Sequence, residues 1–377
     1  MDLPLDTLRR WPDVEAGDLR ASDAADRLVL DESATARATV SADEIAVIGD
    51  THGALTLSVA AAFDDRAASG LGIRVHQDDL VGEQALAANA ERVGLGLTYR
   101  SLPLTAETVQ DARVVLMRLP RSLDALRDVA GLIAAHAAPD VAVYAGGRIK
   151  HMTVAMNDVL RESFAALDVT HARQKSRVLL ARAPREGREP VARQAAVDGI
   201  VVCAYGGVFA GATIDIGTRM LLAQLPAVIP GSADDVAIDL GCGTGVVGAA
   251  LAVRHPDLRV YACDRSAAAV ASARETAAAN GVADRLSVNR DDGLASREDG
   301  SASFIALNPP FHSGAAVHEG LAPRLFAEAA RVLRPGGELW TVWNSHLRYR
   351  PALERVVGPT RQIARNAKFT VTASIRR

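Results

Sequence analysis

The sequence predicts an α/β protein with two doubly wound, mostly parallel sheets in tandem. Short apolar runs typical of buried strands alternate with longer stretches of helical period, which is the pattern of strands joined by crossover helices. The order of these elements in residues 1–183 recurs in residues 193–377. In each half, the first clear strand is followed by a glycine-bearing turn and a helix. We therefore infer an internal duplication.

The first half begins with a polar, alanine-rich stretch and then alternates strands with helices. Its predicted strands are Ile45–Ile48, Gly72–His76, Tyr99–Leu102, Ala112–Met117 and Asp140–Tyr144. Its predicted helices are Ala54–Phe63, Gly82–Val93, Ser122–Ala137 and Met156–Leu167. An antiparallel pair of strands, Thr170–Gln174 with Arg177–Ala181, is predicted to follow. Residues 184–192 are charged and contain proline and glycine, so they are predicted to be the linker.

The second half repeats this order with clearer signals. Its predicted strands are Val236–Leu240, Leu258–Cys263, Leu286–Asn289, Phe304–Leu307, Glu338–Val342 and Lys368–Ile375. Its predicted helices are Met220–Leu225, Gly245–His255, Ser266–Asn280 and Pro323–Leu333. Gly281 is placed as the stop of the third of these helices.

The composition is that of an ordinary soluble protein. Of 377 residues, 49% are apolar and 23% are charged. The three cysteines have no metal-ligand spacing, so neither a disulfide framework nor a metal site is expected. The first residues lack the pattern of a signal peptide, and no apolar run is long enough to span a membrane. These features predict a cytoplasmic protein, and we expect it to be a monomer.

The last 33 residues carry a local excess of positive charge. Residues 345–377 contain eight Lys/Arg side chains and one acid, Glu354. A basic segment of this kind suits the phosphate backbone of a nucleic acid, although an arginine-rich composition alone would also produce it.

Four consecutive residues after the strand Phe304–Leu307 carry the most specific chemistry. Two prolines, Pro309 and Pro310, cannot continue a β-ladder, so the chain leaves the sheet at its carboxyl edge, where open α/β sheets bind ligands. The amide of Asn308 and the carbonyl of Pro309 can accept both hydrogens of an exocyclic amine, and the ring of Phe311 can stack on the heterocycle that carries it. The tetrapeptide predicts a clamp for a planar amine, unless it is only a structural turn.

A glycine-rich loop follows the strand Val236–Leu240. Glycines at 241, 243 and 245 let the backbone turn sharply and approach a ligand, and the helix that starts there offers free N–H groups. The spacing Gly243-x-Gly245-x-x-Gly248, with Asp264 further on, also fits a nicotinamide dinucleotide site. The loop alone does not separate that cofactor from S-adenosylmethionine.

Acidic residues at the ends of successive strands favour S-adenosylmethionine. Asp239 precedes the loop, where it can accept from the amino-acid end of that molecule. Asp264 ends the next strand and can accept from both ribose hydroxyls, and Asp291 and Asp292 follow the third strand, where they can accept from the adenine amine. Asn308 follows the fourth strand, where a methyl acceptor would sit.

These motifs resemble those of the class I S-adenosylmethionine-dependent methyltransferases. Residues 207–377 are most similar to the "methyltransferase small" domain, and the segments Asn308–His312, Val208–Thr218 and Asn344–Tyr349 resemble the ribosomal RNA guanine-N2-methyltransferases. That resemblance implies two tandem Rossmann-like methyltransferase domains, the N-terminal one degenerate. It also implies transfer of a methyl group to the N2 amine of a guanine in ribosomal RNA, free or in a ribosomal subunit. The degenerate domain, at 1–183, would bind RNA or serve as a scaffold.

The predicted site residues form two sets. The predicted catalytic residues are Asn308, Pro309, Pro310 and Phe311. The predicted cofactor-binding residues are Phe209, Asp239, Gly241, Cys242, Gly243, Gly245, Asp264, Asp291, Asp292 and Asn308. For Phe209, packing over the cofactor and filling the core both remain open, and Asp215 either closes the cofactor pocket or caps the next helix.

Three other functions remain open. A protein glutamine N-methyltransferase also holds an amine with Asn-Pro-Pro and an aromatic ring, but such enzymes usually resemble Asn-Pro-Pro-Tyr and carry a small helical N-terminal domain. A non-catalytic RNA-binding or ribosome assembly factor would not need the intact loop and Asn308. A nicotinamide oxidoreductase is allowed by the glycine spacing alone.

Overall fold

The computed structural model describes residues 3–63, 72–229, 236–309 and 321–377. These residues form two compact units, Met1–Val191 and Ala192–Arg377. The predicted linker, 184–192, lies at this division, and its role as a linker stays a prediction. None of the helices in the described ranges is long and apolar enough to cross a membrane.

The first unit contains a seven-stranded sheet with helices on both faces. Its strands are β1 (Ile45–Ile48), β2 (Ile73–His76), β3 (Tyr99–Ser101), β4 (Val114–Arg118), β5 (Ala142–Arg148), β6 (Phe164–Val169) and β7 (Ser176–Pro184). Its helices are α1 (Ala24–Arg37), α2 (Ala54–Phe63), α3 (Leu80–Val93), α4 (Ala106–Val109), α5 (Leu123–His136) and α6 (Val154–Ser163). Single 3₁₀ turns lie at Leu5–Thr7, Ala42–Glu44 and Ile149–His151.

The second unit contains a short hairpin and another seven-stranded sheet. The hairpin pairs β8 (Arg193–Val197) with β9 (Ile200–Ala204). The sheet strands are β10 (Val236–Leu240), β11 (Arg259–Asp264), β12 (Leu286–Arg290), β13 (Ala302–Leu307), β14 (Leu333–Asn344), β15 (Thr360–Arg365) and β16 (Phe369–Ile375). The helices are α7 (Ile216–Gln224), α8 (Val246–Arg254), α9 (Ala267–Ala279), α10 (Leu321–Val332) and α11 (Arg350–Val356), with a 3₁₀ turn at Ser345–Leu347.

The two sheets have the same topology. The strand order is β3-β2-β1-β4-β5-β7-β6 in the first unit and β12-β11-β10-β13-β14-β16-β15 in the second. In each sheet five neighbouring strands are parallel, and the last two pairings are antiparallel. The predicted fold class, two tandem doubly wound domains, is confirmed.

The sheets are buried because crossover helices cover both faces. All six residues of β13 are buried, and apolar clusters lie on either side of the sheet. A strand buried on both faces has a continuous apolar sequence. This explains why β1, β10 and β13 were visible in the sequence.

Two predicted elements differ in position from the structure, and other elements of the structure were not predicted. The helix predicted to Leu167 ends at Ser163, and the strand predicted at Thr170–Gln174 lies earlier, at Phe164–Val169. The hairpin β8–β9, the helix α11 and the strand β15 were not predicted. Several exposed residues interrupt the apolar pattern in β6, β8 and β15, so these strands have weak signals.

Candidate functional site

The candidate site lies at the carboxyl edge of the second sheet. Strand β13 lies between β10 and β14, with Leu307 beside Leu240 on one side and Thr341 on the other. Asn308 and Pro309 follow directly, so the asparagine stands at the end of a central strand next to the glycine loop after β10. Pro310, Phe311 and His312 lie outside the described residues.

The Asn308 side chain has one end fixed and the other free. Its Nδ2 donates to Oγ1 of Thr218 at 2.8 Å and to Oδ2 of Asp215 at 3.2 Å. The Thr218 hydroxyl itself donates to Asp215 Oδ2. Asn308 Oδ1 is buried and has no hydrogen-bond partner among the described residues. A buried acceptor without a donor is costly, and an incoming N–H group would satisfy it.

Asp215 also caps the helix α7. Its carboxylate accepts from the backbone N–H groups of Gly217 at 2.8 Å and Thr218 at 3.3 Å. Of the two roles that the sequence left open for Asp215, helix capping is therefore confirmed. The cap places Asp215 and Thr218 one above the other, where both reach Asn308.

The glycines of the loop after β10 serve two purposes. Gly241, Gly243 and Gly245 have φ values of +68°, +53° and +73°, which favour glycine. A Cβ atom at Gly241 or Gly243 would meet nothing within 4 Å, whereas one at Gly245 would lie 2.6 Å from Cβ of Ala273 on α9. The first two glycines border open space that a ligand can enter, and the third allows α8 and α9 to pack.

We expect alanine substitutions to separate these two purposes. Gly243→Ala should cost only about 1 kcal/mol of stability, from its positive φ, but should weaken cofactor binding at least tenfold because the methyl group enters the open space. Gly245→Ala should lower the unfolding free energy by about 2–4 kcal/mol, since it adds a clash to the strain. Urea unfolding and calorimetric titration with S-adenosylmethionine would test both variants. Equal loss of stability in the two would contradict this division.

Asp264 lies beside the loop at the end of β11. Its Oδ2 accepts from the N–H of Gly243 at 3.0 Å, and its Oδ1 accepts from the N–H of Ser266 at 2.9 Å. These bonds fix the loop against the second strand and hold the carboxylate at the carboxyl edge, the position predicted for a ribose contact.

Asp239 is buried inside the second unit. Its Oδ2 accepts from the N–H of Gly248 at 2.7 Å, and burial raises the pKa of Asp239 to about 7. An acid whose pKa is raised in the folded state binds more protons there than in the unfolded chain, so its ionisation destabilises the fold as pH rises.

The raised pKa gives a prediction for Asp239→Asn. Between the ordinary value of 3.8 and about 7, the wild-type protein should lose up to about 2–4 kcal/mol of stability as pH rises, and the variant should lack this part of the loss. At pH 8 the variant should therefore be the more stable protein, as measured by urea unfolding across pH 4–8. An unchanged pH profile would show that the Asp239 carboxyl is not the group responsible.

The two adjacent acids after β12 have different surroundings. Asp291 is buried, and its Oδ2 accepts from the hydroxyls of Tyr261 and Ser296 at 3.2 and 2.6 Å. Asp292 pairs with Arg324, and its side chain is 18% exposed. Asp291 is thus hydrogen-bonded in the interior, whereas Asp292 keeps part of its side chain exposed.

Burial and exposure decide the roles of the remaining aromatic and cysteine residues near the site. Phe209 is 61% exposed, so the core-filling role left open for it is wrong. Burial raises the pKa of the Cys242 thiol, which therefore stays protonated and serves as a small loop residue. Trp340 and Trp343 are buried in the two apolar clusters of the second unit, so they pack in the interior.

The first unit has an ion cluster at the position of the Asn308 amide. Met117 pairs with Ile48 as Leu307 pairs with Leu240, so Arg118 is the counterpart of Asn308. Arg118 donates to Asp23 at 2.7 and 3.1 Å and to Asp26 at 2.7 Å. Asp23 caps α1 as the corresponding aspartate caps α7. The sequence did not reveal this cluster, although the aspartates precede the glycine turns of the two halves by the same number of positions.

The glycine turn of the first unit has also changed. The carboxylate of Asp50 accepts from the N–H of Thr56 at 2.7 Å, as Asp239 accepts from the N–H of Gly248 in the second unit. A Cβ atom at Gly49, the counterpart of Gly241, would lie 3.3 Å from the carbonyl oxygen of Arg118, where the second unit has open space. Gly53 keeps its packing role, since a Cβ there would lie 2.8 Å from Leu86. The turn has therefore kept the helix-packing glycine and has filled the ligand side.

Comparisons with known proteins agree with the division of the chain into two units. Residues 199–373 match the family model of the methyltransferase small domain, and residues 4–185 match that of the RLMG N-terminal domain. The chain is 34% identical to the ribosomal RNA large subunit methyltransferase G of Streptomyces avermitilis, over 98% of this chain and 97% of that protein. It is 33% identical to the protein of the same name from Pseudomonas aeruginosa, over 97% and 96%.

A solved structure shares the fold over nearly the whole length. It is the 16S rRNA N2 methyltransferase RsmC of T. thermophilus in complex with AdoMet and guanosine, with a TM-score of 0.72 and 22% identity. The match covers 94% of this chain and 92% of that one. Both units, and not only the second, therefore have counterparts in that fold.

Proposed function

Because the chain belongs to the family of the ribosomal RNA large subunit methyltransferase G proteins, we propose that it methylates the exocyclic N2 amine of a guanine in large-subunit ribosomal RNA. The methyl donor is S-adenosylmethionine, which supplies an electrophilic methyl group on a sulfonium. The observation that carries the choice of an amine is the buried Oδ1 of Asn308 at the end of β13, which has no hydrogen-bond partner in the part of the chain that the structure describes.

The described residues fit the donor at the edge of the second sheet. The open space beside Gly241 and Gly243 would accommodate its amino-acid portion, and Asp264, which accepts from the N–H of Gly243, would also accept from the ribose hydroxyls. We assign the adenine to the side of Asp292, and we assign the exposed Phe209 to the cover of the pocket. Asp239 would accept from the donor's ammonium group, which favours the ionised form of this carboxyl.

The proposed chemistry is direct transfer by positioning. The N2 lone pair of guanine is delocalised into the ring and is a poor nucleophile. Asn308 Oδ1 and the carbonyl of Pro309 would accept the two amine hydrogens and so aim the lone pair at the methyl group. A paired guanine cannot present N2 in this way, so the base must leave the stack, and Phe311 is proposed to stack on it.

Positive charge at the same edge supports an RNA substrate. Strand β14 runs parallel to β13, and Ser345 after it donates from its N–H to the carbonyl of Lys368 at 2.8 Å. The turn before β16, with Arg365 and Lys368, therefore lies at the edge that carries Asn308, and both side chains are exposed. Exposed cations beside the site suit the phosphates that flank the target base.

The remaining assignments follow from this substrate. We propose that the first unit, with its ligand turn filled, binds RNA or serves as a scaffold and carries out no second transfer. We also propose that the protein acts as a monomer in the cytoplasm, where ribosomal subunits are assembled.

The function is tested with purified protein, methyl-labelled S-adenosylmethionine and large-subunit RNA, either deproteinised or in assembled subunits. The RNA would be digested to nucleosides and the label located. Label in N2-methylguanosine is expected. Label that stays with protein would instead indicate a glutamine amide as acceptor, and label in another nucleoside would overturn the guanine assignment.

A further inference from the structure

The orientation of the Asn308 amide is set by two side chains that would not touch the substrate. We propose that Asp215 and Thr218 are positioning residues for the methyl transfer, and this inference rests on the proposed function. They hold the nitrogen end of the amide, so that the oxygen end faces the incoming guanine. Without them the amide would be free to turn over and present a donor to a donor.

Asp215 sets the direction of the hydrogen bonds among Asp215, Thr218 and Asn308. A carboxylate only accepts hydrogen bonds, and that of Asp215 already accepts from the backbone N–H groups of Gly217 and Thr218 at the start of α7. The Thr218 hydroxyl uses its single hydrogen on Asp215 Oδ2, so it presents a lone pair to Asn308. Both neighbours of the amide therefore demand a donor, and only Nδ2 can satisfy them.

This arrangement also strengthens the free acceptor. A donor that is polarised by a carboxylate and a hydroxyl draws charge through the amide toward Oδ1, and hydrogen bonds in a chain reinforce one another. The same contacts restrict rotation of the side chain, so the acceptor is held in place before the base arrives. Both effects act on the transfer step more than on the binding of S-adenosylmethionine.

The first unit supports the link between Thr218, the third residue of α7, and the Asn308 amide. There the cap is conserved as Asp23, but Asp26 stands in place of Thr218 and Arg118 in place of Asn308. A guanidinium only donates, so it pairs with a second carboxylate. An amide that must keep its oxygen free instead pairs with a hydroxyl, and the two positions have changed together within one chain.

The test compares Thr218→Val, which keeps the shape of the side chain and removes the hydroxyl, with Thr218→Ser, which keeps the hydroxyl. Thr372→Val is the matched control, because Thr372 is also buried and its hydroxyl has no partner among the described residues. We expect kcat to fall at least tenfold in Thr218→Val, with the affinity for S-adenosylmethionine within twofold of wild type. Thr218→Ser should retain at least half of kcat, and the control should be unchanged.

A spectroscopic measurement keeps this inference separate from the proposed function. In protein labelled with ¹⁵N at asparagine, the Asn308 amide protons are identified by their absence from Asn308→Ala. We expect at least one to exchange slowly with solvent in wild type and Thr218→Ser and rapidly in Thr218→Val. Slow exchange without methyl transfer by the wild type would overturn the proposed function and would still show that Thr218 fixes the orientation of the Asn308 amide. Equal activity or equal exchange in the valine and serine variants would overturn the inference.

Discussion

Replacing Asn308 by alanine is expected to lower kcat for methyl transfer by about a hundredfold to a thousandfold. The variant loses the buried acceptor Oδ1, which we assign to one hydrogen of the guanine N2 amine. It leaves the glycine loop and Asp264 intact, so the affinity for S-adenosylmethionine should change less than threefold. Single-turnover transfer to RNA and calorimetric titration with the donor measure the two quantities separately.

A matched asparagine in the other unit controls for the substitution itself. Asn157 lies on α6 of the first unit, and Asn157→Ala should leave both kcat and donor affinity unchanged. If Asn308→Ala kept more than a third of wild-type kcat, the amide would not be the amine acceptor. A parallel collapse of donor affinity would move Asn308 from the acceptor site to the cofactor site.

The second large effect is expected on stability, from Arg118→Met in the first unit. The substitution removes the cation that Asp23 and Asp26 share and leaves two carboxylates without it, one of them on a side chain only 9% exposed. Breaking a buried pair by removing one partner costs about 3–5 kcal/mol, and partial exposure of Arg118 lowers the expected loss to about 2–4 kcal/mol. Urea unfolding of the full chain, with hydrogen exchange on α1, measures it.

The ion cluster can be tested further by restoring its balance. Adding Asp26→Asn to Arg118→Met should recover at least about 1 kcal/mol, because the amide needs no counter-charge. Arg161→Met, which breaks an exposed pair with Asp158, should change the unfolding free energy by less than about 0.5 kcal/mol. If the double variant were as unstable as the sum of its single changes, the cluster would not act as a unit.

The sequence was sufficient for the fold because its main signals are local. Strands β10 and β13 are mostly apolar, with only Asp239 and Ser303 as polar residues, and each is followed by residues that do not extend a strand: glycines after Leu240 and a proline pair after Asn308. The duplication was visible because both halves repeat these signals in order. The hairpin β8–β9 and strand β15 were missed because their apolar patterns are interrupted by exposed residues.

The candidate site was predictable only in part, for a physical reason. Asn308 is recognisable from its own neighbours in the chain. Thr218 lies 90 positions away from it, and its contact depends on how α7 packs on the sheet. Arg118 was likewise not recognisable in the sequence, since nothing local indicates its pairing with Asp23 and Asp26. Contacts between distant segments need the structure.

The central claim is that this chain methylates guanine N2 in large-subunit ribosomal RNA through Asn308. The most direct measurement is mass spectrometry of nucleosides from the large-subunit RNA of a strain that lacks the gene for this chain, complemented with wild type or with Asn308→Ala. We predict that one N2-methylguanosine disappears in the deletion strain and returns with wild type but not with the variant. An unchanged nucleoside content in the deletion strain, or full restoration by Asn308→Ala, would contradict the account.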